Sequence, residues 1–203
     1  MGFGGSSTNS ILNTAMSSDN FYSLPQQESL YTDKYEIKAG RWPKNDHELV
    51  LVLFSDGTIS DFLLYTLGFR DPKELDDMIE KFMNEETITA DVSNAHYDYD
   101  DFLGIKYKLV SSADYYRYDE EFNVWVDKTE DEEYMRNLVE NGEDLTIVGV
   151  AQRREDTEIT LLVSGIYYPY ELASHISQIS YGKAVTEEQM KDHSFNVFIQ
   201  LWR

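Results

Sequence analysis

Apolar and polar positions along the first third of the chain predict two strands joined by a tight corner. Residues 49–53 are apolar at every position, which indicates a strand covered on both faces, and residues 35–39 alternate as an edge strand does. Gly40 breaks the first strand, and Pro43 fixes one φ angle in the polar turn that follows. The Gly-Arg-Trp-Pro segment is therefore predicted to be the corner between the two strands.

The second half of the chain carries further strand patterns. Residues 145–151 form another apolar run, in which Gly149 indicates a bulge or a close packing contact. Residues 158–164 are predicted to return beside that run as a hairpin. The other predicted strands are residues 103–110, an aromatic hairpin of residues 115–118 and 124–126 with a turn at 120–123, and residues 195–202.

Capping residues mark the starts and ends of the predicted helices. The predicted helices are one from Ser60 to Gly68, one opened by Asp71 and Pro72, one opened by a Thr129–Glu132 capping box and ended by Gly142, one after Pro169 and one capped by Thr186. Together, these short helices and strands predict an α+β fold with a mixed sheet.

Charge narrows the set of partners. The chain has 38 acidic and 17 basic side chains and a formal net charge of −21, so nucleic-acid binding is not expected. Between Asp71 and Glu143 there are 22 acidic and 7 basic residues, which places a net charge of −15 in the middle of the chain. The lack of cysteine excludes disulfides and thiolate chemistry.

No motif in the chain specifies a reaction. The four histidines, which lack the spacing of a metal site, are interpreted as surface or packing residues: His47, His96, His175 and His193. No phosphate-binding loop or nucleophile elbow is present, so no catalytic, cofactor-binding or metal residue is predicted. The acidic segments at 98–101 and 127–131 offer oxygen ligands without the pattern of a calcium loop, and calcium binding stays an open question.

An aromatic group accompanies the predicted hairpin. Tyr115, Tyr116, Tyr118 and Trp125 are a candidate interaction surface for peptides or sugars. Packing of aromatic side chains across the two strands is the simpler interpretation of the same residues.

The corner segment carries a family resemblance. Gly-Arg-x-Pro, a polar turn and then Glu-Leu-Val-Leu resemble the extracytoplasmic domain of FtsX-like ABC-transporter permeases of the macrolide-exporter type. The acidic, Tyr-rich middle of the chain resembles the variant found in Gram-positive gut bacteria. The family-motif residues, which fall in the order of the family, are Gly40, Arg41, Pro43, Glu48, Gly68 and Gly149.

The resemblance implies a division into lobes. Residues 34–70 with 145–203 would form a membrane-proximal βαβ-type lobe, residues 71–144 an inserted distal lobe, and residues 1–33 a flexible or partly ordered lead. The change of charge near residues 71 and 143, found without the family, agrees with this division. The transmembrane helices of such a permease would lie outside the given residues.

The resemblance also implies a function. It describes a non-catalytic domain at the cell membrane, on the extracytoplasmic side, that couples transmembrane motion to the handling of a substrate or partner. The implied partners are the transmembrane part of the same permease, a cytoplasmic ATPase subunit, and a protein or peptide outside the membrane. Two alternatives stay open: an acidic immunity-type binding protein and a secreted hydrolase with a dispersed site.

Overall fold

The computed structural model describes residues 20–71, 73–74, 97–157, 159–192 and 197. The strands in these residues are β1 (Phe21–Ser23), β2 (Tyr35–Gly40), β3 (Glu48–Val52), β4 (Lys106–Leu109), β5 (Tyr116–Asp119), β6 (Val124–Asp127), β7 (Glu143–Arg153) and β8 (Gly165–Tyr168). The helices are α1 (Ser29–Thr32), α2 (Asp61–Thr66), α3 (Glu132–Glu140), α4 (Tyr170–Tyr181) and α5 (Ala184–Lys191), with 3-10 turns at Tyr99–Phe102 and Ser112–Tyr115.

Six of the strands form one mixed sheet in the order β1-β8-β3-β7-β2, and β4 also pairs with β7. The β1–β8 and β3–β7 pairs are parallel, whereas β8–β3, β7–β2 and β4–β7 are antiparallel. Strands β5 and β6 form a separate antiparallel hairpin, as predicted. The mixed sheet and the short helices confirm the predicted α+β class.

Strand β3 lies at the centre of the sheet and is covered on both faces, as its apolar run predicts. Leu49 and Leu51 point into one hydrophobic cluster and Val50 and Val52 into another, because successive side chains of a strand face opposite sides. All four are 0% exposed. Burying each of these side chains contributes roughly 1.5–3 kcal/mol, so this strand anchors the core.

Strand β7 joins the two sides of the sheet. Its whole length of 11 residues spans about 36 Å at 3.3 Å per residue. Along one edge it pairs with β3, and along the other its first residues pair with β4 and its last residues with β2. The predicted buried strand at residues 145–151 is confirmed and extends further at both ends.

Helix α2 has the predicted start and end. The Ser60 hydroxyl accepts a hydrogen bond from the Leu63 amide, and Gly68 follows the last turn with a φ of +79°. The Gly68 amide donates to the Tyr65 carbonyl, and the Phe69 amide donates to the Leu64 carbonyl. These two bonds form a Schellman motif, which favours glycine because an L side chain is strained at positive φ.

The predicted strand at residues 158–164 is wrong for residues 159–164, the part of it that the structure describes. The strand in this region is β8, which pairs with β3 and β1 instead of returning beside β7. The hydroxyl of Tyr35, at the start of β2, donates to the Leu162 carbonyl and accepts from the amides of Leu161 and Leu162. The Tyr35 hydroxyl, and not a neighbouring strand, thus supplies the hydrogen-bond partner for the backbone of Leu161 and Leu162.

Two predicted helix starts are also wrong. The Asp131 carboxylate, not Thr129, caps α3 by accepting from the Tyr134 amide. Thr129 instead donates its amide and its hydroxyl to Asp127, in a turn that ends β6. Similarly, α5 begins after Lys183, before the predicted cap at Thr186.

The proposed division into lobes stays a prediction, and several contacts bear on it. Strand β4, assigned to the inserted lobe, belongs to the main sheet, and β1 and α1 lie in the proposed lead. Side-chain contacts also join the inserted segment to the C-terminal helices: Ser111 with Ser180, Asp114 with Lys183, Trp125 with Glu188, and Glu143 with His175. Most of the predicted helix after Asp71, and the predicted strand at 195–202 apart from Val197, lie outside the described residues.

Candidate functional site

The corner between β2 and β3 brings together two glycines from distant parts of the chain. Gly40 ends β2 with a φ of +68° and is the register partner of Gly149 in β7. A Cβ atom on Gly40 would lie 2.1 Å from the Val148 carbonyl oxygen, and one on Gly149 would lie 2.0 Å from the Arg41 carbonyl oxygen. The predicted close packing contact at Gly149 is thus a contact with the backbone of the corner.

An ion pair holds the two ends of the corner together. The Arg41 guanidinium binds the Glu48 carboxylate through two contacts of 2.5 and 2.6 Å, and the Lys44 amide donates to the same carboxylate at 2.7 Å. The Arg41 amide also donates to the Val148 carbonyl. The structure therefore groups four of the six family-motif residues. Of the other two, Pro43 lies in the turn and Gly68 ends helix α2.

The acid stability of the protein should depend on this ion pair. The Arg41 guanidinium, assisted by the Lys44 amide, lowers the pKa of Glu48 from its ordinary 4.5 to about 2. The stabilisation of the fold by ionised Glu48 is therefore fully present above about pH 4.5 and is lost as the pH falls toward 2. We expect the gap in urea midpoint between the parent and Glu48→Gln to be larger at about pH 6 than at about pH 3. A gap that does not change with pH would contradict this assignment.

A second group of side chains lies beside the corner. This His–carboxylate cluster consists of Asp46, His47, Glu143 and His175. The Nε2 atoms of His47 and His175 lie 2.6 and 2.7 Å from the same oxygen of Glu143, Oε2, and the two ring centroids are 5.1 Å apart. His47 and His175, interpreted from the sequence as surface or packing residues, thus share one carboxylate partner.

Asp46 completes the cluster from the opposite side of the rings. Its Oδ1 atom lies 2.7 Å from Nδ1 of His47, and its Oδ2 atom lies 3.8 Å from Nδ1 of His175. Glu143 and then Asp46 raise the pKa of His47, since both of its ring nitrogens face carboxylates. The imidazoles in turn lower the pKa of Glu143, and His47 lowers the pKa of Asp46.

The sheet topology explains why these residues meet. His47 directly precedes β3 and Glu143 begins β7; because the two strands are parallel, they begin at the same edge of the sheet. The Thr146 amide donates to the His47 carbonyl at 2.9 Å and fixes this edge. On α4, Leu172 and Ile176 pack into the core, which leaves His175 at its side to reach Glu143.

The members of the cluster are far apart in sequence, so local spacing could not reveal them. Glu143 lies 96 residues after His47 and 32 residues before His175. A usable signal was present nonetheless: a polar residue with metal-ligand chemistry stands at the start of each of two predicted buried strands. The ligand atoms of His47, Glu143 and His175 lie within 4.8 Å of one another, close enough to hold a metal ion.

A surface cavity of about 280 Å³ adjoins the cluster, because Asp46 contributes to both. Its wall is mixed in chemistry, with prolines, tyrosines and charged side chains. The cavity is lined by Leu24, Pro25, Gln26, Glu28, Tyr31, Pro43, Lys44, Asn45, Asp46, Pro169, Tyr170 and Glu171.

The predicted aromatic surface is partly engaged within the chain. Tyr118 and Trp125 are cross-strand partners in the β5–β6 hairpin, with ring centroids 5.2 Å apart. The Trp125 indole donates to Glu188 of α5 at 3.0 Å, while Tyr118 stays exposed. Tyr116 lies two residues before Tyr118 on the same face, and Tyr115 lies in the preceding 3-10 turn.

Comparisons with protein-family models, with curated proteins and with solved structures find no match to this chain. Within the part of the chain that the structure describes, no helix is both long enough and apolar enough to cross a membrane.

Proposed function

We propose that this chain is a non-catalytic domain of an ABC-transporter permease that lies on the extracytoplasmic side of the cell membrane. The observation that carries the proposal is the corner formed by Gly40, Arg41, Glu48 and Gly149. The resemblance to the permease domain rests on these residues, and in the fold they join the strands β2, β3 and β7. These residues depend on one another structurally: Gly149 leaves room for the Arg41 backbone, and the Arg41 side chain binds Glu48.

The sheet is suited to transmitting movement. Strand β7 is paired along both edges, and its register with β3 shifts between Ile147 and Gly149. The corner fixes β2 and β3 to β7 through backbone contact and an ion pair, so a displacement of one strand displaces the others. In a permease, the transmembrane helices would supply that displacement, and a cytoplasmic ATPase subunit would supply the energy for it.

The acidic middle of the chain, from Asp71 to Glu143, provides the surface for a partner outside the membrane. Its excess of carboxylates favours a basic protein or peptide, with charge acting mainly on the rate and selectivity of association. Tyr118 and Phe122 are exposed at the end of the β5–β6 hairpin and offer apolar anchors. An immunity-type inhibitor would use the same chemistry, so location in the cell separates the two functions.

Single-cysteine labelling in intact cells tests the proposed location. The given residues contain no cysteine, so Phe122→Cys, at a position 68% exposed, introduces one accessible thiol into this part of the full-length protein, and the unsubstituted protein gives the background labelling. We expect a membrane-impermeant maleimide to label this variant before lysis. Ile147→Cys, at a fully buried position, is the matched control and should react only after denaturation.

Labelling of Phe122→Cys only after lysis would refute the extracytoplasmic location and favour a cytoplasmic binding protein. A second measurement addresses the partner. The full-length protein, purified from detergent-solubilised membranes, should carry with it an ATPase subunit whose activity is absent from the isolated chain. A membrane fraction without associated ATPase activity would refute the assignment to an ABC transporter.

A further inference from the structure

We propose that His47, Glu143 and His175 form a binding site for a divalent transition-metal ion, with Zn²⁺ as the representative ion and Asp46 as the positioning residue. The proposal does not rest on the proposed function. It rests on the geometry of the His–carboxylate cluster, on the orientation of its two rings and on its donor set.

The three ligand atoms already lie within 4.8 Å of one another. Both Nε2 atoms lie 2.6–2.7 Å from Oε2 of Glu143, where hydrogen bonds hold them. Zinc–nitrogen and zinc–oxygen distances near 2.0–2.2 Å place tetrahedral ligands about 3.3–3.5 Å apart, so each nitrogen must move away from the oxygen by roughly 0.7 Å. The side chains are 29–41% exposed, which leaves room for that movement.

The chemistry of binding is a replacement of protons by the metal. An imidazole protonated on both nitrogens releases its Nε2 proton to solvent, and a neutral one frees Nε2 by moving that proton to Nδ1; in either case the Nε2 lone pair then binds the ion beside the ionised Glu143 carboxylate. One divalent ion thus takes over the bridging role of two protons. The net charge of −21 on the chain also favours the binding of a cation.

Asp46 has the position of a residue that orients metal ligands without binding the metal. Its carboxylate lies on the Nδ1 side of both rings, at 2.7 Å from His47 and 3.8 Å from His175. A hydrogen bond to Nδ1 fixes a histidine in the form whose Nε2 binds metal, and a carboxylate partner makes that nitrogen more basic. Asp46 therefore aims Nε2 of His47 toward Glu143, and it lies near Nδ1 of His175 without a hydrogen bond.

The donor set selects the class of metal. Two imidazoles and one carboxylate suit zinc and its first-row neighbours, whereas Ca²⁺ and Mg²⁺ prefer oxygen ligands throughout. Three protein ligands leave a fourth position open for water or for a group from another molecule.

Zinc titration of the full chain, prepared without an affinity tag, tests the site. Competition with a chromogenic chelator should give one Zn²⁺ per chain. Asp46→Asn should weaken binding roughly 10–100-fold, the range for loss of a residue that supports a metal ligand, and His47→Gln, His175→Gln and Glu143→Gln should each weaken it further. Asp144→Asn is the matched control, since it removes a neighbouring carboxylate that binds Lys106 and Lys108 and should leave zinc affinity unchanged.

A measurement on the parent chain keeps the test independent of how the variants fold. The chain contains four histidines, and we expect the imidazole NMR signals of two of them to shift at one equivalent of Zn²⁺. Equal shifts of all four, no shift, an affinity that survives Glu143→Gln, or displacement of Zn²⁺ by an equal concentration of Ca²⁺ would each overturn the proposal.

Discussion

Replacing Gly149 with alanine is expected to lower the free energy of unfolding by about 3 kcal/mol, at the upper end of the range for overpacking a tight site. The new Cβ atom would lie 2.0 Å from the Arg41 carbonyl oxygen and 2.8 Å from its carbon. Both are backbone atoms, so no side-chain rotation relieves the clash, and β7 must separate from the corner. Urea unfolding at neutral pH measures the change.

The control for this prediction is Gly182→Ala. A Cβ atom there would have its nearest neighbours at 3.8 Å, and the residue is exposed after α4 with a φ of −80°. The variant should stay within about 0.5 kcal/mol of the parent, as surface substitutions do. If Gly149→Ala is as stable as Gly182→Ala, the corner is not a tight contact. The claim that it fixes β2 and β3 to β7 would then be wrong.

Replacing Tyr35 with phenylalanine should lower the free energy of unfolding by about 2–4 kcal/mol, although only one oxygen atom is removed. That hydroxyl makes three hydrogen bonds to the backbone of Leu161 and Leu162, and the Tyr35 side chain is only 1% exposed. Its loss leaves the buried amide and carbonyl of Leu162 without this partner, and each such group costs roughly 1–3 kcal/mol, whereas the Leu161 amide lies on an exposed residue and can bind water.

Tyr118→Phe is the matched comparison for Tyr35→Phe. Its hydroxyl donates to Asn123 at 3.2 Å on the exposed hairpin, where water can replace the lost bond. We expect little change in the urea midpoint of this variant. Equal midpoints for the two variants would show that residues 161–162 find other partners and that Tyr35 does not hold this segment in place.

The sequence predicted those elements whose signals are local. The apolar run of β3, the Ser60 cap and Gly68 end of α2, and the aromatic hairpin each depend on residues a few positions apart, and the structure confirms them. The corner was predictable in part, since Gly149 in a strand already indicated a close contact. Its partner, the Arg41 backbone, was not, because the contact joins residues more than 100 positions apart.

Competition between equivalent local signals accounts for other errors. Thr129 and Asp131 are both good capping residues, and Asp127 decides between them by binding Thr129 in a turn. Residues 158–164 have a strand-like pattern, yet Tyr35 binds the backbone at 161–162. The His–carboxylate cluster was missed because it depends on the parallel pairing of β3 with β7, which no local pattern records.

The topology of the main sheet sets the order in which the protein can fold. Among the described strands, every pairing in this sheet joins strands that are not consecutive in the chain, with partners as distant as Phe21 and Ile166. Such high contact order slows folding, because long loops must close before pairing stabilises them. During synthesis, β2, β3 and β4 have no partner until β7 has left the ribosome. The nascent chain therefore exposes unpaired apolar strands from the synthesis of β2 until that of β7, and this is the period in which it most needs protection from aggregation.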